Sequence, residues 1–181
     1  MTASVELPTL FAFGSGIDIP AGEANYIVRD SFTLPGDVKV LSAYGHAHYL
    51  GKEMHVVATL PDGSAVPLVS IPNWDFNWQE FYRYESPVEL PKGTRLDATI
   101  RYDNSEANPR NPHSPPQRVR WGMESFDEMG TIGFLLEILH PEDNSAFGEQ
   151  LGARTQAAIR AAGANGTLQR YLQYQRSQGG Q

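Results

Sequence analysis

Two histidines one residue apart, His46 and His48, stand in the stretch Tyr44-Gly45-His46-Ala47-His48-Tyr49-Leu50-Gly51-Lys52, and a distant segment, Phe126-Asp127-Glu128-Met129-Gly130, answers it. Side chains alternate faces along an extended strand, so His46 and His48 point the same way and could hold one metal ion between two imidazoles. A His-x-His pair also arises without a metal, as two exposed or hydrogen-bonded rings. The chain has no cysteine. That excludes disulfides, thiolate zinc sites, iron-sulfur clusters and cysteine nucleophiles, and leaves His, Met, Asp and Glu to hold any metal.

Other side chains offer less. His55 lies on the strand face opposite Met54 and Val56, where an exposed ring is expected, and His140 falls at a domain edge. His113 sits in a proline-rich loop and could approach a metal or a substrate. Met54 is a rival thioether, but a strand methionine usually packs in a core. Asp127 and Glu128 suit fixing a turn or orienting a histidine better than binding metal. Arg83, Arg101 and Arg110 could hold an anionic substrate, though nothing in their spacing separates them from surface charge.

The elements that must position these residues are strands. Asn25 to Leu34 and Asp37 to His48 flank the turn pair Pro35-Gly36, and in the second of them Val38, Val40, Ser42, Tyr44, His46 and His48 share one face. Glu53 to Leu60 and Ala65 to Ile71 flank Pro61-Asp62-Gly63-Ser64, where Asp-Gly supplies a tight hairpin turn. Arg95 to Tyr102 alternates cleanly, with Leu96, Ala98, Ile100 and Tyr102 inward, as in a half-buried antiparallel strand. Arg118 to Trp121 and Thr131 to Leu139 complete the set. The aromatic block Trp74-Asp75-Phe76-Asn77-Trp78, with Phe81, Tyr82 and Tyr84, reads first as core packing alternating across a sheet and second as a substrate-facing wall. Prolines 109, 112, 115 and 116 keep Asp103 to Pro116 out of any ladder.

Residues 1 to 24 read as an extended lead-in interrupted by Pro8, Gly14, Gly16, Pro20 and Gly22. Past Pro141 the composition turns helical: Phe147 to Ala162, a break at Gly163-Ala164-Asn165-Gly166, then a helix capped by Thr167 through about Ser177, with Leu168, Tyr171, Leu172 and Gln175 on one side. Ser177 to Gln181 reads as a disordered end. The expected fold is all-β, an antiparallel jelly-roll-like sandwich over residues 1–140 with a short helical tail at 141–181.

Charge narrows the partners. The 181 residues carry 14 basic and 21 acidic side chains, a formal charge of -7, and no basic run, which argues against nucleic acid and anionic membranes. No apolar run is long enough for a membrane span, and Met1-Thr2-Ala3-Ser4 lacks a signal-peptide pattern, as expected of a mature form or an excised domain.

His46-Ala47-His48-Tyr49-Leu50-Gly51-Lys52 together with Asp127-Glu128-Met129 resembles the copper type II, ascorbate-dependent monooxygenases, the group of peptidylglycine α-hydroxylating and dopamine β-monooxygenases. The likeness is to their C-terminal catalytic domain and spans about Ala21 to Leu139. Bacterial proteins of this type are similar also through Trp74-Asp75-Phe76-Asn77-Trp78-Gln79 and Tyr102-Asp103-Asn104-Ser105. The resemblance implies a single copper ion held by His46, His48 and Met129, where dioxygen is activated and a substrate C–H bond hydroxylated. Donor chemistry agrees, since a thioether favours Cu(I), imidazole accepts Cu(I) and Cu(II), and neither zinc nor magnesium selects methionine. It further implies a small-molecule or peptide-like substrate and a periplasmic or extracellular setting. The family's preceding domain, whose three histidines hold an electron-supplying second copper, has no counterpart here, nor do its disulfides. An external electron donor is therefore expected, and a non-catalytic copper-binding or electron-transfer module of a larger exported protein is the alternative.

Overall fold

The computed structural model describes residues 1–9 and 11–178. These form ten strands, β1 (Thr2–Leu7), β2 (Asp18–Ile19), β3 (Tyr26–Thr33), β4 (Val38–Ala47), β5 (Gly51–Thr59), β6 (Ala65–Ile71), β7 (Phe81–Leu90), β8 (Arg95–Tyr102), β9 (Val119–Arg120) and β10 (Gly130–Ile138), and two helices, α1 (Asn144–Ala164) and α2 (Thr167–Gln178). One antiparallel sheet has the order β1-β10-β4-β7, a second β3-β8-β5-β6, and β2 pairs with β9 in a small third. The two four-stranded sheets enclose a core in which Val5, Leu7, Val40, Phe134 and Leu136 meet Met54, Val56, Leu96 and Ile100. The fold is an antiparallel jelly-roll-like β-sandwich with a C-terminal helical appendage.

Strand β8 keeps its alternation, Leu96, Ala98, Ile100 and Tyr102 being buried. Strand β4 does not. Its pairing with β10 steps from Ser42 opposite Leu135 to Val40 opposite Leu136, so Leu41 is an extra residue. Such a bulge inverts the facing of every later residue in the strand. Val38 and Val40 face the core before it, and Ala43 and Ala47 after it. Tyr44 and His46 are thus turned to the other face, which corrects the single face expected for Val38 through His48. Gly45 is on the inner face, where a Cβ would come within 2.9 Å of the Met54 sulfur.

Three further expectations are corrected. The lead-in contains a real strand: β1 pairs with β10 from Thr2 to Leu7, since Val5 and Leu7 gain full burial there. Of the aromatic block only Trp74 is fully in the core, with Tyr84 packed at its edge, while Trp78 is 67% and Phe81 76% exposed, because residues 72–80 belong to no strand and the following β7 is an edge strand. Phe81 to Leu90, not expected as a strand, pairs with β4.

The helical part packs closely on the sandwich. Phe147 is buried. The Arg154 guanidinium donates to the Asp30 carboxylate, to Ser31 O at 2.7 Å and to Thr9 Oγ1 at 3.2 Å, tying α1 to β3 and to the segment after β1. Helix α1 runs to Ala164, so the break falls on Asn165-Gly166 alone. Asn165 Oδ1 accepts from the Thr167 N–H at 3.0 Å, whereas the Thr167 hydroxyl accepts from Arg170; the cap is Asn165 rather than Thr167. Leu168 and Tyr171 pack inward, but Leu172 is left exposed. Ser177 and Gln178 belong to α2, and Gly179, Gly180 and Gln181 lie outside the described residues.

Candidate metal centre

His46 ends the outward-facing run of β4 and His48 follows one residue past the strand. Their ring centres are 5.3 Å apart with planes near perpendicular, at 87°. His46 Nδ1 donates to Gln79 Oε1 at 2.6 Å, and His48 Nδ1 donates to the Asp127 carbonyl at 3.1 Å. Both partners only accept, so Nδ1 carries the hydrogen in each ring and Nε2 keeps its lone pair. The Nε2 of His46 is buried and has no hydrogen-bond partner. A buried nitrogen without a partner is costly unless something binds it. Burial holds the His46 imidazole below its ordinary pKa, against the Gln79 hydrogen bond, and lowers that of His48 to about 4.

Met129 is 6% exposed and lines the same hollow as both histidines. The residues on either side hold it. Tyr102 donates its hydroxyl to the Met129 carbonyl at 3.1 Å, and Gly130 leaves room for that hydroxyl, since a Cβ there would lie within 2.2 Å of it. Glu128, fully buried, accepts through Oε1 from the N–H of His48 at 2.6 Å and of Met129 at 2.9 Å, and through Oε2 from the N–H of Leu50 at 3.0 Å. One carboxyl thus joins the histidine turn to the methionine segment. Burial pushes that carboxyl up to about 8, and the backbone N–H groups oppose the rise. Both oxygens face N–H donors, which favours the charged form, while burial favours the neutral one.

The residues present fit a soft metal ion. Bonded at about 2 Å to one nitrogen of each of two imidazoles, an ion sets their ring centres roughly 4.5–6.5 Å apart, which brackets the observed spacing. Among the described residues no three His, Asp or Glu side chains converge, and the soft donors that line the hollow beside the two imidazoles are the thioethers of Met123 and Met129. Two imidazoles with a thioether would suit copper better than zinc or magnesium.

The hollow has a volume of about 640 Å³ and its walls come from far along the chain: Phe11 and Phe13 before β2, Trp121 and Met123 after β9, Ile159 from α1, Leu168 and Tyr171 from α2. Phe11 meets the His46 ring edge-on at 5.3 Å. Phe11 and Ala12 have φ of 52° and 63°, a left-handed pair unusual for bulky side chains. The Phe11 carbonyl is fixed there by the Trp121 indole N–H at 3.0 Å and the Gly130 N–H at 3.3 Å.

The remaining candidates are placed elsewhere. His55 lies 3.6 Å from the Glu53 carboxylate, and His140 is 3.1 Å from Asp37. His113 faces Phe126 at 6.2 Å and lines an adjacent hollow rather than this one. Met54 is fully buried in the core. Arg101 pairs with Glu53, Arg110 donates to the Trp74 carbonyl, and Arg83 lines a groove beside Tyr82 and Tyr84. Gln79, Phe11, Ile159 and Leu168 were not foreseen in the site. Only the apolar side of α2, through Leu168 and Tyr171, signalled that something there would be covered.

No family model matches the chain, and no curated protein matches it. Among solved structures, the chain is similar to one described as the structure of infectious bursal disease virus Gx strain, with a TM-score of 0.37 and 7% identity over 76% of this chain and 32% of that one. It therefore spans about a third of the length of that virus chain. It is also similar to the family 32 CBM from C. perfringens NanJ, solved in complex with galactose, with a TM-score of 0.29 and 10% identity over 75% of this chain and 92% of that one.

Proposed function

We propose that His46, His48 and Met129 hold one copper ion and that the domain is an oxidoreductase of the copper monooxygenase type its motifs resemble. The observation that carries this reading is the buried, unpartnered Nε2 of His46 in the hollow shared with His48 and Met129. When bound, copper would supply dioxygen activation for hydroxylation of a substrate C–H bond. Gln79 and the Asp127 carbonyl fix the histidine tautomers. Glu128 keeps the histidine turn and Met129 in register. The apolar walls exclude water around the donors and strengthen their electrostatic interactions. A small molecule or a peptide-like chain end would reach the imidazoles through the open side of the hollow. The protein's working place in this reading is the periplasm or the cell exterior.

Among the described residues no three His, Asp or Glu side chains form a group that could hold a metal ion, so none offers a second copper site. Electrons would accordingly come from an external donor such as ascorbate. The same observation favours a second reading, a copper-binding or electron-transfer module without catalysis of its own. No helix among the described residues is long and apolar enough to cross a membrane.

Oxygen uptake separates the readings. Protein loaded with Cu(I) and supplied with ascorbate is expected to consume oxygen, and Met129→Ala to do so at least tenfold more slowly. Copper binding with no Met129-dependent uptake would leave the module. Unchanged copper affinity in His46→Ala and His48→Ala would overturn the site itself.

A further inference from the structure

The hollow above the two histidines has a chemistry of its own. It is lined by Phe11, Phe13, Trp121, Met123, Met129, Ile159 and Leu168, and the lining residues whose side chains can hydrogen-bond strongly are His46, His48, Trp121 and Tyr171. Among the described residues no Lys, Arg, Asp or Glu lines it. In the metal-free protein a charged group entering would lose its hydration and meet no counter-charge, whereas an apolar one would gain by leaving water. A volume of about 640 Å³ lies well inside the span of small-molecule sites, roughly 300–1,000 Å³.

The walls are already fixed. Phe13 and Trp121 pack edge to face at 4.7 Å, Tyr171 closes on Phe13 at 5.8 Å, and the Phe11 carbonyl is held by the Trp121 indole. At the rim, Met123 is 47% and Ile159 43% exposed, apolar surface that a ligand of the same character would cover. The adjacent hollow, of about 400 Å³, is opposite in character, with Arg118, Arg120, Arg170 and Asp127 in its lining. Trp121, Met123 and Tyr171 line both. A charged molecule therefore has a better place next door.

We infer that the hollow over His46 and His48 binds an uncharged, apolar or aromatic small molecule. As the substrate class of the proposed oxidoreductase this rests on the copper reading; as a binding site it stands without it. The class differs from a ligand gripped by a charged end, and it explains why the C-terminal helices, remote from the histidines in sequence, supply Ile159, Leu168 and Tyr171 to the same space.

The test uses the metal-free full chain with its methionine methyl groups labelled for NMR. Two probes are titrated, neutral 1-naphthol and anionic 1-naphthoate. The neutral probe is expected to shift the Met123 and Met129 methyls saturably and to leave Met54 in place, with 1-naphthoate binding at least tenfold more weakly. Leu168→Glu should weaken 1-naphthol at least tenfold. Ile159→Glu, at a half-exposed position, should weaken it at least threefold. Equal or tighter binding of 1-naphthoate, no response at Met123 and Met129, or unchanged affinity in Ile159→Glu would overturn the inference. A copper titration is run separately on the same protein. Failure to take up Cu(I) with 1-naphthol binding intact removes the copper reading and supports this site as independent; copper uptake with no 1-naphthol binding does the reverse.

Discussion

His48 is 4% exposed, and its backbone N–H, its Nδ1 and its carbonyl are all engaged, by Glu128, Asp127 and Trp74 respectively. Burial lowers its pKa from 6.5 to about 4, chiefly because a charged ring would have to leave water. In the unfolded chain the same ring takes its proton near the ordinary value, so below that pH the unfolded state binds a proton that the folded state refuses. The stability this histidine contributes is therefore complete above about 6.5 and is lost as pH falls through about 4. The interval corresponds to on the order of 3 kcal/mol. Urea unfolding of the metal-free protein at pH about 7 and about 4.5 should show that loss, and His48→Gln should show a smaller one across the same interval. Equal losses in both proteins would mean that His48 is not the linked group. The types and spacing of His46, His48 and Met129 were legible in the sequence because a motif is local. Gln79 was legible only as the end of an aromatic block, since its bond to His46 exists only once β4 and the loop before β7 have come together.

At the scale of elements, alternation revealed most of the strands and missed what the register does. The Leu41 bulge is invisible to a period-two pattern, since Val38, Val40 and the residues after Ser42 read as one continuous strand. It turns His46 away from the sandwich core and toward the space that Phe11 and the helices enclose. Strand β7 was missed for a related reason, as an edge strand of exposed aromatic and charged residues has no inward stripe to announce it. Glu128 shows how two elements are locked together. Its oxygens take up the backbone donors of His48, Leu50 and Met129, and each oxygen faces N–H groups. In Glu128→Gln the amide must aim its own N–H₂ at one of those donor sets, whichever way it is flipped, leaving buried donors unpaired. The expected cost is about 2–3 kcal/mol in urea unfolding of the metal-free protein. A change below about 0.5 kcal/mol would mean that the carboxyl is protonated in the native state and that the amide replaces it without loss.

The molecule as a whole behaves as a device for bringing distant residues to one space. The sandwich was legible from strand periodicity and the helices from composition. That α1 and α2 wall the hollow over His46 and His48 was not, because α2 read alone offers only a short apolar side, and what it covers is decided by Phe13 and Trp121 from elsewhere in the chain. The proposed donors come from the end of β4 and from the start of β10, strands paired at Ala47 and Gly130. An ion bound to both cross-braces adjacent strands in the native state and finds no such arrangement in the unfolded chain, so binding must raise the melting temperature. With free Cu(I) at about a thousandfold its dissociation constant, linkage gives roughly 4 kcal/mol, and at about 2–4 °C per kcal/mol for a chain of this size the midpoint should rise by roughly 8–16 °C. Met129→Ala is itself destabilising through the cavity it leaves, so the informative quantity is the shift on adding Cu(I), not the midpoint. Each tenfold of affinity lost with the thioether should remove about a third of that shift at the same Cu(I) concentration. Zn(II) gains nothing from a thioether, and any small shift it produces should be the same in wild type and Met129→Ala. A Cu(I) shift equally indifferent to Met129 would place the ion on the histidines alone and leave the methionine as one more wall of the hollow.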